Sequence, residues 1–319
     1  MRQSSLLALP LRRPEEVIPH LGERYHWKQG YSAKALADSW SGRTDLPSSV
    51  RAVLDQSPAF QKAELLEGWL ERETDLGDGE RGASQTDLLA LLGLPGELAV
   101  LSIEAKVNEP FGPTVFARSK NGSDGARRRI KHLRGFLNIA ESALGELRYQ
   151  LLHRATATVL EARRFRASKA VLVIQSFSAD ATGFDDYQRF ACAIGAGDAE
   201  QGRLNGPVEI DGVSLWLGWA ACDIPASGLT VGELRQTTTA SPSQWEGRLT
   251  DGRPIYIRYR WGELTVRIGK LGATADNILD CPAWFDGGVG RQTDCMIDLR
   301  QVLQATGLAL APDIAALAQ

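Results

Sequence analysis

Leu98-Ala99-Val100-Leu101-Ser102-Ile103-Glu104-Ala105-Lys106-Val107 places an apolar residue at every odd position. Successive side chains of a strand point to opposite faces, so Ala99, Leu101, Ile103, Ala105 and Val107 form one apolar face. Glu104 and Lys106 stand on the other, about 6.6 Å apart along the strand. A carboxylate and an ammonium that close can share one metal-bound water. Upstream, Leu94-Pro95-Gly96-Glu97 is a turn signal, and residues 86–92 read as a partner strand. With Pro95-Gly96 as a two-residue tip, paired positions sum to 191, and Asp87 faces Glu104 on the same side of the sheet. One extra loop residue would move Asp87 to the opposite face, so the site depends on this register.

Around this hairpin the chain reads as mixed α/β. Ser32 opens a helix through Leu36 and Trp40, and Pro47-Ser48-Ser49 starts a short one over 47–56. Tyr25, Trp27, Tyr31 and Trp40 make an aromatic cluster, read as a small core or packing arm. Residues 58–73 are expected to be helical, with Phe60, Ala63, Leu66, Trp69 and Leu70 on one side. A short third strand is expected near 113–117. The stripe Leu144, Leu147, Leu151, Ala155, Val159 and Ala162 predicts a long helix over 144–165. Its apolar side is expected to cover Ala99, Leu101, Ile103 and Ala105. A buried strand at 169–177, a helix near 184–194 and a strand near 213–220 follow. Residues 235–244 read as a linker. Beyond it, Asp251-Gly252 and Trp261-Gly262 are turns of a β-meander over 245–268, and a helix near 298–306 closes the chain. The expected organisation is a helical N-terminal segment (1–56), a mixed α/β domain (57–234) and a small β-rich C-terminal domain (245–319).

Two carboxylates facing each other repel without a cation between them. Asp87 and Glu104 suit a hard ion such as Mg²⁺, which takes one or two carboxylates and keeps several waters. Such an ion activates a bound water and polarises a phosphodiester oxygen. Asp87, a turn, and then Glu104-Ala105-Lys106 resemble the D…E-x-K signature of the PD-(D/E)xK nucleases. The strings Ser84-Gln85-Thr86-Asp87, Ile103–Gly112 and Arg148–Arg154 are similar to an uncharacterised bacterial branch of nuclease-like proteins. The resemblance spans about residues 20–225, with Thr86 standing where the superfamily name has proline. It implies a restriction-endonuclease-like mixed sheet flanked by helices. It also implies Asp87 and Glu104 as metal ligands, Lys106 as the catalytic lysine and Gln150 as a residue pointing into the site. Glu71, ahead of Glu67, is the expected further ligand, and Mn²⁺ could replace Mg²⁺.

The 319 residues carry a formal net charge of -3, so any nucleic-acid surface must be local. Residues 118–169 hold 13 Lys and Arg against four acidic residues. Arg127, Arg128, Arg129, Lys131, Arg134, Arg148 and Arg154 in this segment are the expected phosphate contacts. The C-terminal module carries Arg258, Arg260 and Arg267 but a balancing set of aspartates, and it could read a ligand, dock a protein partner or complete a homo-oligomer. Trp245, Trp261 and Trp284 read as core. Cys192, Cys222, Cys281 and Cys295 form no C-x-x-C pair, which argues against zinc and for reduced thiols in a cytoplasmic chain. No apolar run is long enough to cross a membrane. The functional expectation is a magnesium-dependent nuclease acting on DNA in bacterial defence or repair. The alternative is a silent nuclease fold that binds or regulates.

Overall fold

A computed structural model of the chain describes residues 12–20, 27–238, 241–273, 275–290 and 293–315. Tyr25 lies outside them. After a short 3-10 turn (Pro14–His20) come α1 (Ser32–Trp40), α2 (Ser48–Leu54), β1 (Glu64–Thr74), β2 (Ser84–Leu94) and β3 (Glu97–Lys106). There follow α3 (Val115–Asn121), α4 (Asp124–Phe136), α5 (Glu141–Leu144), α6 (Tyr149–Arg164), β4 (Lys169–Ser176), α7 (Phe184–Ala193), β5 (Leu204–Ile210) and β6 (Val213–Ala221). Among the described residues these strands form a six-stranded mixed sheet in the order β1-β2-β3-β4-β6-β5. β1, β2 and β3 are an antiparallel meander, and β4 and β6 run parallel to β3.

The hairpin register is the one the sequence predicts. Leu94 pairs with Glu97 and Leu88 with Ile103, so paired positions sum to 191. Gly96 supplies the positive φ (80°) that a Pro-Gly turn needs at its second central position. The apolar face of β3 is the expected one, but its cover is not. Ala99, Leu101, Ile103 and Ala105 pack with Leu36, Trp40, Val50 and Leu54 of α1 and α2. The long helix α6 lies on the opposite face, where its Leu151, Leu152, Ala155 and Val159 meet Val100, Leu172 and Ile174. Both sheet faces are apolar, because parallel strands β3 and β4 are covered on each side. Each fully buried leucine in these layers stabilises the fold by about 1.5–3 kcal/mol.

Three further expectations are corrected. Residues 64–74 are strand β1 and not a helix. On this edge strand Leu65 and Leu70 pack toward α1 and α2 and Trp69 toward α6, while Glu64, Glu67 and Glu73 face solvent. Apolar residues drawn from both faces of a strand imitated a helical stripe. Residues 115–121 are helix α3 rather than a strand, because Thr114 caps it, accepting from Ala117 N at 3.2 Å. Helix α6 begins at Tyr149, with Leu147 buried in the turn before it.

Strand β7 (Thr230–Thr238) takes up the first four residues of the stretch read as a linker, whose last two open the next strand. With β8 (Ser243–Leu249), β9 (Pro254–Arg260), β10 (Glu263–Ile268), α8 (Ala275–Ile278), β11 (Ala283–Gly288), α9 (Leu299–Thr306), β12 (Ala309–Leu310) and α10 (Pro312–Ala315) it forms a second unit. Its mixed sheet has the order β11-β10-β9-β8-β7-β12 and its own core around Trp245, Ile257, Tyr259 and Phe285. The two units meet near the N-terminus. Gln29 bridges Phe285, and its buried side chain donates to Thr306 O at 3.0 Å. Gly30 has φ +87°, and a Cβ there would stand 2.2 Å from the Phe285 ring, so only glycine admits this contact.

Candidate active site

The β2–β3 register sets Asp87 beside Glu104, one position beyond the Leu88–Ile103 pair. Asp87 Oδ2 accepts from Ala105 N at 2.8 Å, which fixes the carboxyl against the end of β3. From the helix side, Gln150 and Arg154 lie four residues apart and therefore share one face of α6. Gln150 Nε2 donates to Glu104 Oε1 at 2.7 Å, and Lys106 Nζ reaches the same oxygen at 2.8 Å. Arg154 Nε donates to Glu104 Oε2. A second nitrogen of Arg154 lies 3.6 Å from Asp87 Oδ1, and a third donates to Ser84 Oγ at 3.2 Å. Ser84 Oγ is also 2.9 Å from His153 Nδ1.

The site lies at the carboxyl ends of the parallel strands β3 and β4, the usual ligand end of an open α/β sheet. Glu104 is 1% exposed and Asp87 21%, so Asp87 is the carboxylate at the mouth. A cavity of about 440 Å³ joins Asp87, Glu104, Lys106 and Gln150 to Tyr31 on one side and to Phe285–Gly288 of β11 on the other. The second unit thus supplies part of the wall.

The charges here are unevenly held. Burial would raise the Glu104 carboxyl, but the cations of Arg154 and Lys106 outweigh it and hold the group low. Asp87 is raised by burial and by the Glu104 charge. Glu71 lies between the Leu70–Leu88 and Arg72–Thr86 pairs, and hence across β1 from Asp87. Its carboxyl is pushed up to about 8 by burial, then by Asp87. Its backbone has φ 50°, the left-handed region that costs a non-glycine residue about 1–3 kcal/mol. Lys106 is raised, because Glu104 and Asp87 outweigh its burial.

Among the described residues no group of three or more His, Cys, Asp and Glu is placed to hold a metal ion. Glu71 therefore joins the electrostatics of the site without completing a three-carboxylate set, and Glu67 is exposed on β1. Two hard carboxylates remain, which is the donor set Mg²⁺ accepts with its waters. A cation would compete for Glu104 with Arg154 on Oε2 and with Lys106 and Gln150 on Oε1.

The basic segment divides into different roles. Arg154, expected on a phosphate surface, is instead the buried cation of the site. Arg148 is bound to Asp186 at 2.8 Å, and Arg129 holds Asp78, whose side chain is almost fully covered. Arg128 pairs with Glu80 at 2.6 Å, Arg134 with Glu141 at 2.7 Å, and Arg127 with Asp124 at 2.5 Å. Lys131 is exposed on α4, and Arg118 of α3 lies over the Tyr149 ring at 5.2 Å. Arg154 was findable from sequence, since a basic residue four on from Gln150 falls on the same helix face. The wall formed by 285–288 had no local signal.

Residues 10–224 match the family model described as Domain of unknown function (DUF6946), and the chain belongs to that family. No curated protein and no solved structure matches the chain.

Proposed function

We propose that this DUF6946 chain is a metal-dependent nuclease of the PD-(D/E)xK type, with a restriction-endonuclease-like core. The observation that carries this reading is the meeting of Asp87, Glu104, Lys106 and Gln150, from β2, β3 and α6, in one pocket. The helix–strand–strand–strand–helix–strand order of α2, β1, β2, β3, α6 and β4 agrees with it. Asp87 and Glu104 would hold Mg²⁺ or Mn²⁺, which when bound supplies a water of lowered pKa and charge for a phosphodiester oxygen. Lys106, kept protonated by its two carboxylate neighbours, places a positive charge where the phosphate gains negative charge in the transition state. Gln150 holds Glu104 in its rotamer. DNA is the substrate we assign, in a cytoplasmic setting of bacterial defence or repair.

A second reading is a silent nuclease fold that binds or regulates. Arg154 favours it, because a guanidinium already pairs with both carboxylates. The experiment that separates the two is incubation with plasmid, linear duplex, single-stranded DNA and RNA in Mg²⁺, Mn²⁺ or EDTA. Cleavage that needs metal supports the nuclease. Binding with no cleavage in either metal supports the silent fold.

A further inference from the structure

The β9–β10 hairpin turns through Trp261 and Gly262, with φ of 53° and 74°. Both central residues of such a turn take positive φ, which glycine, asparagine and aspartate accept and a bulky aromatic resists. The Trp261 residue is only partly buried in return. It is 56% exposed, whereas Trp245 is 4% exposed in the core of the same unit. The guanidinium of Arg260 lies 3.8 Å from the centroid of the Trp261 ring. The result is a flat aromatic and cationic surface in an unfavourable backbone position.

Its location gives it a use. Glu263, two residues after Trp261, pairs with Gly288, and Val289 N donates to Gly262 O at 2.7 Å. Gly288 lines the cavity that holds Asp87, Glu104 and Lys106. The Trp261 turn is thus about one strand spacing, or 4.8 Å, from the cavity wall. The cavity takes its lining from both units, and Glu104 within it is only 1% exposed. A stacked duplex keeps its bases inside and its phosphates on a stiff outer surface. A single strand bends and offers free base faces, which stack on aromatic side chains and on arginine.

We propose that Trp261, with Arg260, is a base-stacking platform for single-stranded polynucleotide at the mouth of the candidate active site. This deepens the nuclease reading by naming its substrate class, and it rests on that reading only for the role of the cavity. The platform holds one unstacked base while the neighbouring phosphate enters between Tyr31 and β11. Stacking is tolerant of sequence, so binding extends to both single-stranded DNA and RNA.

The test measures anisotropy of labelled oligo-dT, oligo-U and a matched duplex with the full chain, for the native sequence, Trp261→Phe and Trp261→Gly. Cleavage of the same probes in Mn²⁺ is followed alongside, with melting curves. Trp261→Gly removes the ring and suits the turn, so it is expected to melt no lower than the native chain. It should bind single strands about fivefold or more weakly, with Trp261→Phe in between and the duplex bound more weakly than the single strands throughout. Equal single-strand binding by the native chain and Trp261→Gly, or preferred binding of duplex, overturns the platform. Absence of cleavage together with Trp261-dependent binding removes the nuclease reading and leaves the platform standing. Cleavage that is indifferent to Trp261, with unchanged binding, removes the platform and leaves the nuclease.

Discussion

Glu104 is the residue on which the site depends. Both its oxygens are engaged, one by Lys106 and Gln150 and the other by Arg154, and it is almost fully buried. Removing one partner of a buried ion pair costs about 3–5 kcal/mol, because the other charges remain buried without it. Glu104→Ala is therefore expected to lower the unfolding free energy by about that amount in urea titration. Lys106→Ala should cost much less, since Arg154 and Gln150 still hold Glu104. Equal destabilisation by the two would show that Arg154 is not the main partner. The titration of the cluster gives a second test. The folded chain keeps a proton on Glu71 to about pH 8, whereas the unfolded chain releases it near 4.5, so stability falls as pH rises between them. Asp87 is raised too and acts with the same sign. His153 is pushed down to about 3 by burial and then by Arg154, and it lowers stability only below its ordinary value of 6.5. From pH 6.5 to about 8.5 the melting temperature should therefore fall, and Mg²⁺ or Mn²⁺ should flatten the fall by displacing protons. A flat profile without metal would contradict the clustering of these carboxyls.

At the scale of elements, the hairpin that carries the site was legible and its surroundings were less so. The alternation of Ala99 to Val107 and the Pro95-Gly96 turn are local signals, and they fix faces and register together. The layer covering each face is not local information. The stripe on α6 predicted an apolar sheet partner, and the helix lies on the face opposite to the expected Ala99, Leu101, Ile103 and Ala105. β1 was misread because an edge strand with apolar residues on both faces lacks clean alternation. Arg127, Arg128 and Arg129 looked alike in sequence, yet Asp78 and Glu80, about fifty residues away, bind two of them. Charge reversal at Arg129 should thus destabilise the fold by breaking its pair with the covered Asp78 side chain. Reversal at Lys131 and Arg118 should instead leave melting unchanged, weaken polynucleotide binding and reduce its salt dependence. Filter binding at two salt concentrations with parallel melting curves checks both. The seam between the units offers another test. Gly30→Leu forces a side chain into the Phe285 ring at a left-handed backbone position. Faster limited proteolysis of the region after residue 229 is expected. Unchanged proteolysis would mean the Gln29–Gly30 contact does not hold the second unit.

Over the whole molecule, a net charge of -3 is compatible with a polyanionic substrate because the charge is not evenly spread. Exposed basic residues on α3 and α4 and the Trp261 turn belong to different units, and the candidate site lies in the first, with a wall from the second. That arrangement makes the β-rich unit part of the site rather than an appendage. It also explains why sequence reading of the first unit alone found the carboxylates but not the cavity around them. Trp261, read as core, is the clearest case, since only the assembled structure shows it exposed. The central claim is that Asp87, Glu104 and Lys106 form a hydrolytic centre. The most direct measurement is single-turnover cleavage of an end-labelled single strand in Mn²⁺, by the native chain and by Lys106→Ala confirmed as folded. The account predicts cleavage by the native chain that EDTA stops, and a loss of at least about a hundredfold in Lys106→Ala. Equal cleavage by the two chains, or none by the native chain in any metal, would contradict it.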